Sequence, residues 1–140
     1  MAEETNQLRV RLVTPERTLF DYQADSVQLP SKSGYLEALY GHAPLMAELG
    51  AGVVSLNGGP GDGQVYSVSW GFAEVLPERV TILAYDALKP EEIDVVRAEN
   101  QLDRGLQMWK DAGESEESYN EALRVIAEAE AKIALAGKKH

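Results

Sequence analysis

The hydrophobic pattern of this 140-residue chain changes period once, at Lys89-Pro90, and that break limits what it can fold into. Before the break, apolar residues alternate in short runs. Leu8, Val10 and Leu12 fall on one face of a strand, with Arg9 and Arg11 on the other. Further runs are Thr18–Tyr22, Ser26–Leu29, Tyr35–Leu39, Val53–Leu56, Val65–Trp70, Phe72–Leu76 and Val80–Tyr85. Turn chemistry separates them: Thr14-Pro15-Glu16-Arg17, Pro30 to Gly34, Gly41-His42-Ala43-Pro44, Gly50-Ala51-Gly52, Gly58 to Gly63 and Pro77-Glu78-Arg79. The glycines at 50 and 52 predict a tight turn ahead of a strand at Val53. Many short strands with Gly and Pro punctuation predict an antiparallel β-sandwich over 1–88.

After the break the period is helical. Pro90 suits a first helical position, and Glu91 and Glu92 suit the positive end of a helix dipole. Val95, Ala98, Leu102, Leu106 and Trp109 recur at steps of three and four and predict one buried stripe. Gly113 reads as a left-handed cap and Ser115 as the N-cap of a second helix. That helix offers Tyr119, Leu123, Ile126 and Ile133, with alanines at 122, 129 and 136, a seven-residue repeat that lets a partner helix approach closely. Gly137-Lys138-Lys139 ends it. Residues 89–140 therefore predict a two-helix antiparallel hairpin, making the fold α+β. Each helix is about 35 Å long, or about 70 Å if the two open into one rod. The apolar stripes exceed what a two-helix hairpin buries alone, so it must pack on the β domain, on another protein, or alternate between them.

Composition removes several classes of chemistry. The net charge of −10 repels phosphates, so nucleic acid and direct lipid binding are poor expectations. Residues 1–88 carry five basic and eleven acidic side chains, and 89–140 carry eight and twelve. No cysteine is present, which excludes disulfides and thiolate sites. With two histidines, one of them the final residue His140, a zinc site lacks its usual ligands. The acidic start Met-Ala-Glu-Glu-Thr resembles neither a secretory signal nor a transit peptide, and no apolar run approaches the roughly 20 residues that span a bilayer. The expectation is a soluble intracellular protein that reaches a membrane only through a partner.

Gly58-Gly59-Pro60-Gly61-Asp62-Gly63 invites comparison with a phosphate loop. It lacks the Gly-Lys-Ser/Thr ending and lies between strands, so it reads as a hairpin loop. His42 is the only candidate base, sits in a turn and has no nucleophile elbow beside it, which favours a structural or interfacial role. Trp109 reads as a packing residue, and the helix charges, such as Asp94 with Arg97 and Glu128 with Lys132, as solvated pairs. The residues alone give an acidic sandwich with a helical arm, an interaction module and not an enzyme.

Several segments in order resemble the epsilon subunits of F-type ATP synthases: Val10 to Glu16, Asp25 to Pro30, Gly41-His42-Ala43-Pro44-Leu45, Gly71 to Val75 and Val80 to Ala84. The resemblance implies a non-catalytic stalk subunit on the cytoplasmic side of the bacterial inner membrane. Its β domain would dock on the gamma subunit and the c ring. Its hairpin would lie folded, or extend toward the catalytic beta subunit and restrain hydrolysis. Interface residues implied are Tyr35, Glu37, Gly41, His42, Ala43, Pro44 and Trp70. Where the family commonly reads Gly-Glu-Leu-Gly, this chain has Gly34-Tyr35-Leu36-Glu37, which moves an acid by about 7 Å along the same strand face. A family glycine is replaced by Trp70, which reads either as filling a surface groove or as core.

The resemblance also raises a nucleotide. Ile93-Asp94-Val95-Val96-Arg97-Ala98, with Arg104 beyond, is similar to a motif by which some bacterial members bind ATP. It reads here as a weak regulatory ATP site, formed by Ile93, Asp94, Arg97, Ala98 and Arg104, or as a plain helix start. Glu128 and Lys132 stand where strong binders carry arginines, and a glutamate repels phosphate. No cofactor is required. Residues 115–137 hold Arg124 and Lys132 against five glutamates, so attraction of this helix to an acidic partner should be poor. The rival readings are a stand-alone ATP-sensing module and a small hydrolase using His42.

Overall fold

The structure, a computed structural model, describes residues 6–137. The acidic start and Lys138, Lys139 and His140 lie outside the described residues. Two compact units divide between Ala87 and Leu88. The first contains β1 (Leu8–Val13), β2 (Thr18–Ala24), β3 (Ser26–Ser31), β4 (Gly34–Leu39), β5 (Leu45–Asn57), β6 (Val65–Val75) and β7 (Arg79–Leu88, whose last residue falls in the second unit). Hydrogen bonding links them in the order β2-β1-β7-β6-β5-β3-β4. The assigned pairings of β1 with β2, β3 with β4 and β5, and β5 with β6 are antiparallel. The parallel pair β1 and β7 is the exception, because the first strand returns beside the last.

The β-sandwich arises because two long strands bend together. Burial in β5 moves from the odd position Leu49 to the even positions Val54 and Leu56. In β6 it moves from Tyr66 and Val68 to Ala73 and Val75. Side chains in a strand alternate, so such a change of parity means an irregularity that turns the strand. In β6 it is Trp70, the only non-glycine with positive φ among the described residues (φ 58°), followed by Gly71 (φ 141°). A Cβ on Gly71 would collide with the Leu83 carbonyl oxygen of β7. In β5 the change falls at Gly50-Ala51-Gly52, between the ladder pairs Leu49–Gly71 and Ala51–Ser69 and beyond. Strands that switch layers at such bends form the corner of a sandwich.

The expected turn at Gly50 to Gly52 is therefore corrected: these residues lie within β5. Pro30 of β3 explains the bend. It has no N–H to give the ladder, and the β3–β5 register breaks between Gln28 and Ser31. Val65–Trp70 and Phe72–Leu76, two runs in the sequence pattern, are one bent strand, β6. Between the bends the core is apolar, with Leu8, Val10, Leu12, Val27, Leu29, Leu49, Val54, Val68 and Ile82 all sealed from solvent. The glycine-rich stretch forms the β5–β6 hairpin loop, where Gly58 N–H donates to Asp62 Oδ1 at 2.7 Å.

The second unit is a short 3-10 turn, Pro90–Glu92, followed by α1 (Val95–Asp111) and α2 (Glu116–Ala136). Pro90 does not open α1. The backbone is extended at Ile93 and Asp94, and the Asp94 carboxylate accepts from Arg97 N–H at 3.1 Å as N-cap. Ser115 caps α2 by accepting from Ser118 N–H at 3.2 Å, and Gly113 takes φ 60° after α1. The buried positions of α1 are Ala98 and Gly105, with Ala112 at its C-cap. Those of α2 include Ala122, Ala129 and Ala136. Each helix thus carries small residues seven apart. A Cβ on Gly105 would lie 2.8 Å from Ile126 Cγ1, so the helices meet at a distance that only small side chains allow.

That seam revises the stripe expected on α1. Val95, Leu106 and Trp109 are exposed, as are Tyr119 and Leu123 on α2. Bulky residues flank the close approach because they do not fit in it.

Trp70 is in a region of φ that costs an L-residue roughly 1–2 kcal/mol. Trp70→Gly should therefore be more stable than Trp70→Ala by about 1 kcal/mol in urea denaturation, although both lose the same indole. Equal stabilities would show that the bend needs no left-handed residue.

Candidate functional site

In the hairpin, the cap at Asp94 sets the phase of α1. Gln101 and Arg104 lie four and seven residues beyond Arg97 and so share its face. With Leu88, Glu92, Ile93, Asp94, Ala98 and Lys132 of α2 they line a groove of about 450 Å³. The structure thus brings Ile93, Asp94, Arg97, Ala98 and Arg104 to one place. The sequence reading missed Gln101, for which the four-residue step from Arg97 was the available signal.

Cations outnumber acids in this groove. Glu92 Oε1 accepts from Lys89 N–H at 2.8 Å and one Asp94 oxygen caps the helix, so both acids serve the backbone. Among the described residues, no carboxylate lies within ion-pairing distance of Arg97, Arg104 or Lys132. Asp94 with Arg97 is thus a cap and not the expected surface ion pair. Glu128 does not line the groove: its Oε1 accepts from Gln101 Nε2 at 3.3 Å in a part-buried bond between the helices. The arrangement suits an anion held by guanidinium and ammonium groups, with one Asp94 oxygen left to accept from a polar N–H.

The β unit presents two further places. Gly41, His42, Ala43 and Pro44 form the loop between β4 and β5. Gly41 has φ 89° and donates its N–H to the Pro77 carbonyl at 2.7 Å, which fixes the loop beside the β6–β7 turn. His42 is half-buried, with Nδ1 2.7 Å from the Ala43 carbonyl, a contact that turns its ring onto its own loop. Exposed Leu39, Tyr40, Leu45 and Met46 flank these residues in sequence. Tyr35 and Glu37 lie on the edge strand β4, paired with Pro30 and Gln28, and both are exposed.

Tyr35 has an internal task as well. Its hydroxyl accepts from Val53 N–H at 2.9 Å, where the break in the β3–β5 register leaves that donor. A Cβ on Gly52 would come within 2.5 Å of Tyr35 Oη, so the glycine makes room for the phenol. Trp70 is half-buried at the sandwich corner, apart from the Gly41–Pro44 loop along the chain. Among the described residues no group of three or more His, Asp or Glu could hold a metal ion. No helix there is long and apolar enough to cross a membrane.

A β-sandwich unit followed along the chain by a two-helix unit, with a groove whose lining suits an anion, is the make-up of a binding module. Residues 7–90 match the family described as ATP synthase, Delta/Epsilon chain, beta-sandwich domain. The chain is 45% identical over 102 residues to an ATP synthase epsilon chain of Koribacter versatilis, covering 73% of this chain and 71% of that one. It is 40% identical over 132 residues to that of Solibacter usitatus, covering 94% and 97%. The chloroplastic epsilon chain of Porphyra purpurea is 36% identical over 126 residues, covering 90% and 92%. A chain in the cryo-EM structure of the Euglena gracilis mitochondrial ATP synthase has the same fold, with a TM-score of 0.78 at 19% identity, covering 95% of this chain and 83% of that one. This protein belongs to the ATP synthase delta/epsilon family, and its relatives are the epsilon chains.

Tyr35→Phe should destabilise the full chain by about 1 kcal/mol, the usual worth of one lost hydrogen bond, in urea denaturation. No change would mean that water serves the Val53 N–H equally well.

Proposed function

We propose that this chain is the non-catalytic epsilon subunit of the central stalk of an F-type ATP synthase, coupling rotation to catalysis carried out by other subunits. The observation that carries this is the 40% identity to the Solibacter epsilon chain through both units, 94% of this chain. The β unit docks on the gamma subunit and the c ring, with the Gly41–Pro44 loop and the Tyr35 and Glu37 edge as contact points. The protein is peripheral, on the cytoplasmic side of a bacterial membrane, a placement supported by bacterial relatives. Co-expression with the gamma subunit should yield a stable complex on gel filtration. A chain that elutes alone at micromolar concentration sinks the reading.

The hairpin regulates. Its length suits both a folded arm and one extended toward the catalytic beta subunit. α2 is poor in positive charge, while its Tyr119 and Leu123 are exposed. The grip on a partner is therefore weak or apolar. Removing residues 89–140 from the assembled enzyme should leave its ATPase rate within about twofold. A large activation would establish a strong inhibitory clamp instead.

ATP is a weak regulatory ligand of the hairpin groove. Arg97, Arg104 and Lys132 receive phosphate charge, while Asp94 offers the adenine amino group only the oxygen that does not cap α1. Calorimetry on the full chain should give a dissociation constant weaker than micromolar. Lys132→Arg, which exchanges a point charge for a bidentate fork, should tighten it. Micromolar or tighter binding by the unaltered chain refutes weak binding.

A further inference from the structure

The β5–β6 hairpin opens on Asn57-Gly58, the one Asn-Gly pair in the sequence. An asparagine loses its side-chain amide when the backbone nitrogen of the next residue attacks Cγ, and a glycine there has no Cβ to hinder the attack. Asn6, Asn100 and Asn120 each precede Gln or Glu, whose side chains crowd that nitrogen. Asn57 is exposed at the last position of β5, open to water. In the reaction Gly58 N gives its proton to hydroxide and bonds to Asn57 Cγ. The Cγ–Nδ2 bond then breaks as Nδ2 takes a proton from water and leaves as ammonia, closing a five-membered imide. Water opens the imide at either of two C–N bonds, giving aspartate or, with the chain routed through Cβ, isoaspartate. One water is consumed and one ammonia released.

The fold obstructs this chemistry at the attacking atom. Gly58 N–H donates to Asp62 Oδ1 at 2.7 Å. Asp62 is itself pinned: its own N–H donates to the Gly59 carbonyl and the Gly63 N–H to the Leu56 carbonyl, both at 3.1 Å. Between them Gly61 is buried, with its N–H on the Gln23 carbonyl at 2.8 Å. The attack needs a negative Gly58 nitrogen, and a carboxylate in contact with that nitrogen disfavours the charge. A second acid adds to the effect, since a Cβ on Gly58 would collide with Asp25 Oδ2. The Asn57 backbone is held too. Its carbonyl accepts from Asp25 N–H at 2.9 Å, and it pairs with Ser26 in the β3–β5 ladder. Asp62-Gly63, which could close the same kind of ring, has its carboxylate committed to Gly58 and its glycine N–H committed to Leu56.

We propose that Asn57 is a deamidation site held latent by the Asp62 carboxylate, and that it converts to aspartate or isoaspartate when the loop opens. Conversion places a third acid beside Asp25 and Asp62. Isoaspartate also lengthens the backbone by one carbon at the residue paired with Ser26, which loosens β3 from β5. The converted chain is therefore the less stable one, and the loop sets the rate at which the β unit ages.

The test incubates the full chain at alkaline pH and follows the peptide carrying residue 57 by mass and by separation of its aspartate and isoaspartate forms. Conversion should be slow in the folded chain and faster by about tenfold or more in urea, where the loop is open. Asp62→Ala should speed the folded chain about tenfold, the effect of one pKa unit on the fraction of anionic nitrogen. Asp62→Ser keeps an acceptor oxygen without the charge and should fall between; it takes the place of Asp62→Ala if that variant loses its thermal midpoint. Asparagine is not used at this position because it would create a second Asn-Gly pair. Asn57→Gln should abolish the conversion, since its ring would need six members. Ile82→Val, which costs the core about 1 kcal/mol far from the loop in sequence, should leave the rate within about twofold. Conversion of the Asp62 variants at or below the unaltered rate overturns the proposal. So does an equal acceleration by Ile82→Val, an absence of acceleration in urea, or conversion that persists in Asn57→Gln.

Discussion

The paired bends in β5 and β6 are the constraint from which the β unit follows. Each strand is long enough to serve two layers, and each must turn its inward face over at the same height. In β6 the turn is made by Trp70 and Gly71 at positive φ. In β5 it is made by a glycine-rich bulge opposite a proline that cannot extend the ladder. Were either strand straight, half of its apolar residues would face water, since parity decides the face. The core of Leu29, Leu49, Val54 and Val68 exists because the bends coincide. Tyr35 then satisfies the Val53 N–H that the bulge leaves, so a residue implied to face a partner also serves the fold.

The hairpin solves a different packing problem. Two helices alone cannot enclose bulky side chains on all of their apolar flanks. This pair instead meets through Ala98, Gly105 and Ala112 against Ala122, Ala129 and Ala136. A small-residue seam brings the backbones close and leaves Leu106, Trp109, Tyr119 and Leu123 outside it. Stability and availability thus come from one choice of residues. The seam holds the two helices together without consuming the larger apolar groups, which stay exposed. The cationic groove is a further product of the hairpin, since it needs Arg97 and Arg104 of α1 beside Lys132 of α2.

The residues of the hairpin site were implied by the family resemblance, and they come together because they are local. Asp94, Arg97, Ala98 and Arg104 lie on about three turns of one helix, and helical periodicity places them on one groove-facing side. The loop Gly41 to Pro44 was equally visible as a turn. Other features were not, because they depend on residues distant in sequence. The approach of Asp25 to Gly58 needs the pairing of β3 with β5. Gly50 and Gly52 carried the composition of a turn, yet both lie within β5, and Gly52 admits Tyr35 and Pro30 to close range.

Local chemistry sufficed for the change from strand to helix near Pro90, the inner faces of the short strands, the heptad alanines of α2 and the caps at Gly113 and Ser115, but not for the cap of α1 at Asp94. These follow from periodicity and from hydrogen bonds between residues three or four apart. Tertiary structure decided which face of each long strand is buried on either side of its bend, which helix flank stays exposed, and which cations gather. Those outcomes depend on register and backbone separation, set when distant segments compete for the same space.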